Sequence, residues 1–269
     1  SSGLGIEFAK LFASKGIPMV ITSSKRSEEK INSFSEELKA QFGVDVKVCA
    51  ANLEEPTAVE SLVSWIDQQN VDISYLVNNA GFGISGHKFQ DYDMQKCKDM
   101  LQVNIMALTE LLGVYVPRMV ARGSGSILNV SSIAAYIIPH GLEAAYSSSK
   151  VYVRALSECI SDDLRGTGVS CTHVAPGTTR TEFFHTAGLQ NHSKIEKMYM
   201  EADEVAAIGF HAMMALQHDM IGIAFTNASP LVSPTFSVER LLGTNPICVV
   251  IPAGDEPPFV ADLATTTAA

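Results

Sequence analysis

An open α/β architecture, with a parallel sheet covered by helices on both faces, is the fold class this sequence predicts. Three observations carry the prediction. Short apolar runs of strand type alternate with longer stretches whose apolar residues recur at helical spacing. A glycine-containing turn, Gly3-Leu4-Gly5, leads directly into one such helical stripe. Polar, reactive side chains collect where the strand-like runs stop, at Asn78-Asn79-Ala80-Gly81, at Ser131-Ser132 and at Pro176-Gly177, which is where open α/β sheets bind ligands.

Composition bounds the rest. The 269 residues are 46% hydrophobic and 18% charged, enough for one large core or one core with an appendage. A formal net charge of -10 argues against nucleic acid and anionic membrane surfaces as partners. No apolar run approaches the roughly 20 residues of a membrane span, and no basic segment leads into an apolar one at the start, so a soluble cytoplasmic chain is expected. The five cysteines lack C-x-x-C spacing and are expected as free thiols, with no metal site. His185 and His192 flank an irregular stretch and read as surface residues. Residue 1 is serine rather than methionine, which reads as a fragment.

Taken in order, Ser1 to Gly5 run into Ile6, Phe8, Ala9, Leu11, Phe12 and Ala13, an apolar helical stripe. Glycines before a helix let backbone N–H groups approach a phosphate at the positive end of the helix dipole. A dinucleotide site places that turn directly after a buried strand, and here none precedes it. Ile17 to Thr22 reads as a short buried strand ending in Ser23-Ser24-Lys25-Arg26. Two cations and no carboxylate at that point favour NADP over NAD, because a base accommodates a 2'-phosphate where an acid would grip the ribose hydroxyl. A polar amphipathic helix continues through Leu38.

Val44 to Ala50 alternates as a strand, and Val59, Leu62, Val63 and Ile66 mark a core-facing helix. Ile73 to Val77 is the next strand. Met100 to Met119 reads as a long helix in which Asn104 interrupts the apolar positions. A buried amide must find partners, so Asn104 either makes a structural hydrogen bond or holds a water behind a lysine. Ser126 to Val130 is a strand, followed by a loop containing Tyr136, Pro139 and His140. A helix from about Tyr146 to Leu164 and a strand over Val169 to Val174 complete the alternation.

Tyr146 and Lys150, four residues apart, share a helix face. The ammonium is expected to lower the phenol pKa from about 10 and make it a usable acid/base. A hydroxyl from the serine pair upstream is placed to donate to a substrate carbonyl oxygen.

With these residues assembled, residues 1 to about 215 resemble the short-chain dehydrogenase/reductase family. The resemblance rests on S-S-G-L-G, N-N-A-G, Asn104, N-V-S-S, Y-S-S-S-K and P-G-T-T-R-T in order. It implies a Rossmann-like doubly wound parallel sheet lacking its first strand, and hydride transfer between NADP(H) and a carbonyl or secondary alcohol. Tyr146 is implied as general acid/base, Lys150 as its partner, Ser132 as carbonyl polariser and Asn104 as proton-relay support. Gly3, Leu4, Gly5, Asn52, Leu53, Asn79, Ala80, Gly81, Tyr146, Lys150, Pro176, Gly177, Thr179 and Thr181 are implied to line the cofactor, with Arg26 at the 2'-phosphate. Pairing into a homodimer or tetramer is likewise implied.

Three departures stand out. The first strand and the start of the glycine loop are absent from the sequence, so a chain starting at Ser1 is expected to be poorly stable alone. Ser132 lies fourteen residues before Tyr146, one more than the family pattern, which leaves Ser131 as a second candidate. Asn52 stands where the family often has an aspartate. Substrate identity is expected to reside in the Tyr136 to Leu142 loop and in Phe183 to Met200, where Phe183, Phe184, Tyr199 and Met200 suggest an apolar, lipid- or steroid-like carbonyl.

Residues 216 to 269 change character. Ile221 to Pro230, G-T-N-P at Gly243 to Pro246 and D-L-A-T at Asp262 to Thr265 resemble an internal piece of the type-2 malate/L-lactate dehydrogenases. The tail is expected to form short strands and loops, to bring no chemistry, and to be joined to the first piece near residues 212 to 218. Besides the reductase, an inactive chimeric remnant and a malate/lactate-type 2-hydroxyacid dehydrogenase are carried as alternative readings.

Overall fold

The computed structural model describes residues 3–136, 143–177, 179 and 201–216, with the strand backbones of the tail. Thr181, the 137–142 loop, residues 183–200, His185 and His192 lie outside the described residues.

The parallel strands fall into two groups. β1 (Met19–Ser23) pairs with β2 (Val46–Ala50), from Met19 opposite Val46 to Ser23 opposite Ala50. β3 (Tyr75–Asn78), β4 (Gly125–Val130) and β5 (Val169–Val174) form a second parallel sheet in that order. Among the described residues β1 and β3 do not pair with each other, and each has a strand on one side only. That is the arrangement expected of a doubly wound sheet without its first strand. The expected buried strand near Ile17 to Thr22 is corrected accordingly: β1 is half-buried at all five positions, whereas β4, flanked on both edges, is buried at all six.

Helices nevertheless cover both faces and span the break. α1 (Leu4–Ser14) packs Phe8 and Phe12 with Tyr75, Val77, Leu128 and Val130, and packs Ala9 and Ala13 with Met19, Ile21 and Val46. Its phenylalanine stripe thus faces the three-stranded sheet and its alanine stripe the two-stranded one. α2 (Glu28–Phe42) adds Leu38 to the second group, and Gly43 ends it in the left-handed conformation that glycine adopts without strain. On the opposite face α3 (Ala58–Gln68) gathers Val59, Leu62 and Ile66 against Val20 of β1 and Leu76 of β3.

α4 (Met94–Leu101), capped by Asp93 through Gln95 and Lys96 N–H, runs through a π-helical segment over Gln102–Ala107 into α5 (Leu108–Arg122). The expected Met100 to Met119 helix therefore starts earlier and carries an internal irregularity at Asn104. Met94–Arg122 is long and apolar enough to cross a membrane, which corrects the expectation that no stretch approaches that length. Its Met100, Leu108, Leu112 and Met119 are core residues.

α6 (Ala144–Asp163) lies on the same face as α3 and α5 and contributes Val153 to their core. α7 (Ala202–Leu216) joins α1, with the Phe210 ring edge-on to Phe12 at 5.0 Å. The tail is antiparallel, unlike everything before it. β6 (Gly222–Phe225), β9 (Ile247–Ala253) and β10 (Glu256–Leu263) pair in the order β10-β9-β6, and β7 (Pro230–Val232) pairs β8 (Leu242–Gly243).

Candidate active site

The carboxyl ends of β3, β4 and β5 converge on the first two turns of α6. Tyr146, Ser149, Lys150, Val153 and Ser157 form the buried face of that helix, so packing the helix delivers the phenol and the ammonium to the sheet edge. A buried polar ladder fixes its height: Asn78 Nδ2 donates to Asn129 Oδ1 at 2.8 Å, and Asn129 Nδ2 donates to Ser157 Oγ at 2.9 Å. Sequence reading passed over Asn129 and Ser157. Their signal was a polar residue inside an apolar strand and another on an apolar helix stripe.

Lys150 Nζ donates to Val130 O at 2.9 Å and lies 5.9 Å from the Tyr146 ring centroid. Ser131 Oγ donates to Lys150 O at 2.9 Å. The two candidate serines are thereby separated: Ser131 ties β4 to α6, while the half-buried Ser132 hydroxyl is hydrogen-bonded to Tyr146. Ser132 Oγ also accepts from Ala134 N at 3.2 Å, closing the short 3-10 turn Ile133–Ala135.

The electrostatics differ from the sequence expectation. Burial pushes the Tyr146 phenol up to about 12, against the lowering effect of the Ser132 hydrogen bond and with a further rise from the Glu143 charge. Burial likewise brings Lys150 down to about 8. The expectation that the ammonium would lower the phenol pKa is corrected: desolvation of both groups dominates, and the ammonium sits on a backbone carbonyl instead of on the phenol oxygen. Tyr146 packs with Ile84, Met100 and Ala134, a dry setting that holds it protonated at neutral pH.

Asn104 is enclosed by the π-helical segment. Its Nδ2 donates to Phe82 O at 3.0 Å and to Ser149 Oγ at 3.1 Å, and its Oδ1 accepts from Phe82 N at 3.1 Å. Both amide hydrogens are engaged within the protein, so the side chain clamps the backbone just after Gly81. Ser149, inside Y-S-S-S-K, is a further residue to which sequence reading gave no role; it passes this clamp on to Tyr146 O at 2.6 Å.

A Cβ on Gly81 would lie 2.9 Å from Asn104 Oδ1 and 3.3 Å from Lys150 Nζ, and one on Gly5 would lie 2.9 Å from Asn79 Nδ2. Ala80 and Gly81 are exposed beside Lys150 and Tyr146, which are buried, so an open backbone rim borders the reactive pair. Gly3, at φ 58°, caps α1, and the close approach of Gly5 to Asn79 sets the start of that helix against the end of β3. These groups fit a dinucleotide: a helix N-terminus for phosphate, a side-chain-free rim for close approach, and a lysine at its base.

The other residues expected at the cofactor have local partners of their own. Arg26 follows β1 and pairs through Nη2 with Glu54 Oε1 at 2.9 Å, its side chain 76% exposed. Such a surface pair contributes about 0–1 kcal/mol, which leaves Arg26 free to exchange Glu54 for another anion. Asn52 Nδ2 donates to Glu55 Oε1 at 3.2 Å, and Leu53 packs against the core. Pro176 O accepts from Ile133 N at 2.9 Å, and Thr179 Oγ1 donates to Gly177 O at 3.0 Å, linking this segment to the Ser132 turn. Among the described residues no cluster of His, Cys, Asp or Glu could hold a metal ion.

Comparison with known proteins gives two family matches. The short chain dehydrogenase family matches residues 1–192, and the malate/L-lactate dehydrogenase family matches residues 200–269. A sulfoacetaldehyde reductase from Chromohalobacter salexigens is 30% identical over 226 residues, covering 81% of this chain and 87% of that protein. The very-long-chain 3-oxoacyl-CoA reductase of Anas platyrhynchos is 28% identical over 250 residues, covering 90% of this chain and 76% of its own length. A short-chain dehydrogenase from Sphingobium yanoikuyae, solved in complex with NADPH, superposes with a TM-score of 0.71 at 27% identity, covering 81% of each chain. The fold is thus Rossmann-like.

Proposed function

Because the chain belongs to the short chain dehydrogenase family, we propose that residues 1–215 form an NADP(H)-dependent carbonyl reductase, with residues 216–269 contributing no chemistry. The observation that carries this reading is the Ser132–Tyr146–Lys150 arrangement, in which a buried phenol held protonated is hydrogen-bonded to a hydroxyl and backed by a buried ammonium.

Gly3, Leu4, Gly5, Asn79, Ala80, Gly81, Pro176, Gly177 and Thr179 would hold the cofactor, with Asn52 and Leu53 beside its adenine and Arg26 near the 2'-phosphate. Thr181 belongs to the same proposed set. An NADPH complex and an NADP complex among solved relatives support that choice. A nicotinamide held there would supply the hydride that the carbonyl carbon accepts. Ser132 and Tyr146 donate hydrogen bonds to the carbonyl oxygen and stabilise the negative charge that develops there. Tyr146 then delivers its proton to that oxygen, giving the alcohol.

The Lys150 ammonium, 5.9 Å from the Tyr146 ring centroid, stabilises the phenolate left behind. Asn104 and Ser149 act as positioning residues that keep Gly81 and Lys150 in place. A phenol poised as a proton donor favours the reducing direction at neutral pH. Apolar neighbours around Tyr146, including Ile84, Phe82 and Ala134, favour an uncharged, apolar ketone or aldehyde.

The test is Tyr146→Phe assayed by NADPH oxidation against a panel of aliphatic and aromatic ketones. Turnover is expected to disappear while NADPH binding and the folding transition stay within error of wild type. Retained turnover in that variant removes Tyr146 from its role, and failure of the wild-type chain to bind NADPH supports the inactive-remnant reading instead.

A further inference from the structure

The turn that carries Ser132 is held at its far end by a cluster outside the reactive centre. Tyr136 closes the turn through its N–H to Ile133 O at 2.9 Å, and its hydroxyl is 2.7 Å from His173 Nε2 on β5. The Tyr136 and His173 rings stack at 6.3 Å, and Arg154 of α6 lies 4.7 Å from the Tyr136 ring centroid on Cζ. Tyr136 is 50% exposed, so apolar burial alone does not fix it. Resting on the proposed reductase, we infer that Tyr136 is a positioning residue for the reaction: through His173 and Arg154 it anchors the turn so that the Ser132 hydroxyl stays on the Tyr146 phenol.

Three features support the assignment. Among the described residues the backbone N–H that holds Ser132 Oγ is that of Ala134, two residues along the same short turn. A shift of the turn's free end therefore moves the hydroxyl. At its other end the turn is tied to Pro176 through Ile133 N–H, so one anchor lies on the rim proposed for the cofactor and the other on β5.

Finally, among the described residues the polar groups facing His173 are Tyr136, Arg154 and Glu158, and burial lowers the His173 pKa despite the Glu158 carboxylate. A neutral imidazole makes the Tyr136 bond in either tautomer without adding a second cation beside Arg154. Among the described residues Arg154 Nε makes no hydrogen bond and stands 3.9 Å from Glu158, while its Cζ lies over the Tyr136 ring.

The experiment is a double-mutant cycle of Tyr136→Phe and Ser132→Ala, run with NADPH and a ketone that the wild-type chain reduces. Tyr136→Phe alone is expected to lower kcat about three- to tenfold, the scale of one hydrogen bond, with the NADPH dissociation constant unchanged. In the Ser132→Ala background it is expected to cause no further loss. Equal losses in both backgrounds, no loss at all, or a loss confined to NADPH binding overturns the inference. A wild-type chain that reduces no ketone overturns the reductase reading and this inference with it, whereas additive losses in an active enzyme overturn the inference alone.

Discussion

Lys150 has an ammonium with almost no access to water, supported by one backbone carbonyl, and it is 5% exposed overall. Desolvation disfavours its charge and lowers its pKa from 10.5 to about 8. Below pH 8 the folded and unfolded chains both carry the proton, so the penalty is constant there. Between about pH 8 and 10.5 the unfolded chain binds more protons than the folded one, so this group makes stability rise with pH. Tyr146 and Cys171, both pushed up to about 12 by burial, act in the opposite sense at higher pH. Comparison with Lys150→Met isolates the lysine, because the other two groups are common to both proteins. Denaturant unfolding is expected to show wild type gaining on Lys150→Met by up to about 1.4 kcal/mol per pH unit within that window. A pH-independent difference would mean that Lys150 is solvated in the folded chain.

At the scale of elements, the site depends on how closely the end of β3 approaches α6 and the π-helical segment. Gly81 is where they meet, since a Cβ there would strike Asn104 Oδ1, which the Phe82 N–H already holds. Gly81→Ala is expected to cost about 1–3 kcal/mol by overpacking and to reduce turnover, whereas Gly113→Ala, an exposed α5 position with open space around its Cβ, is expected to stabilise by about 0.5–1 kcal/mol. Denaturant midpoints of the two variants measure this, and equal midpoints would show that the rim can give way. Tyr146, Lys150 and Ser132 were legible in the sequence because helix spacing and strand ends are local patterns. The separation of Ser131 from Ser132 was not legible, because it depends on which hydroxyl faces α6. The engagement of Asn104 was not legible either, since a π-helical segment leaves no period of its own in so short a run. The direction of the Tyr146 shift was misread because a charge pair shows in spacing while desolvation appears only in the packed structure.

For the whole molecule, the order of strands and helices was readable from alternation, and the change at the tail from its motifs and from the loss of that alternation. What alternation could not supply is how two half-sheets that do not pair among the described residues stay together. α1 supplies the connection, because its alanine face and its phenylalanine face pack on different sheets. Phe12 is its pivot, with ring centroids 5.4 Å from Tyr75 of β3 and 5.0 Å from Phe210 of α7. Phe12→Ala is expected to cost about 3–5 kcal/mol, as large-to-small core changes do. It should also act across the break, since loosening α1 removes cover from Met19 and Ile21 as well as from Tyr75 and Val77. Hydrogen exchange is expected to show faster amide exchange in both β1 and β3. Loss of protection in β3 alone would mean that the β1–β2 pair is held by α2 and α3, and that α1 does not join the halves.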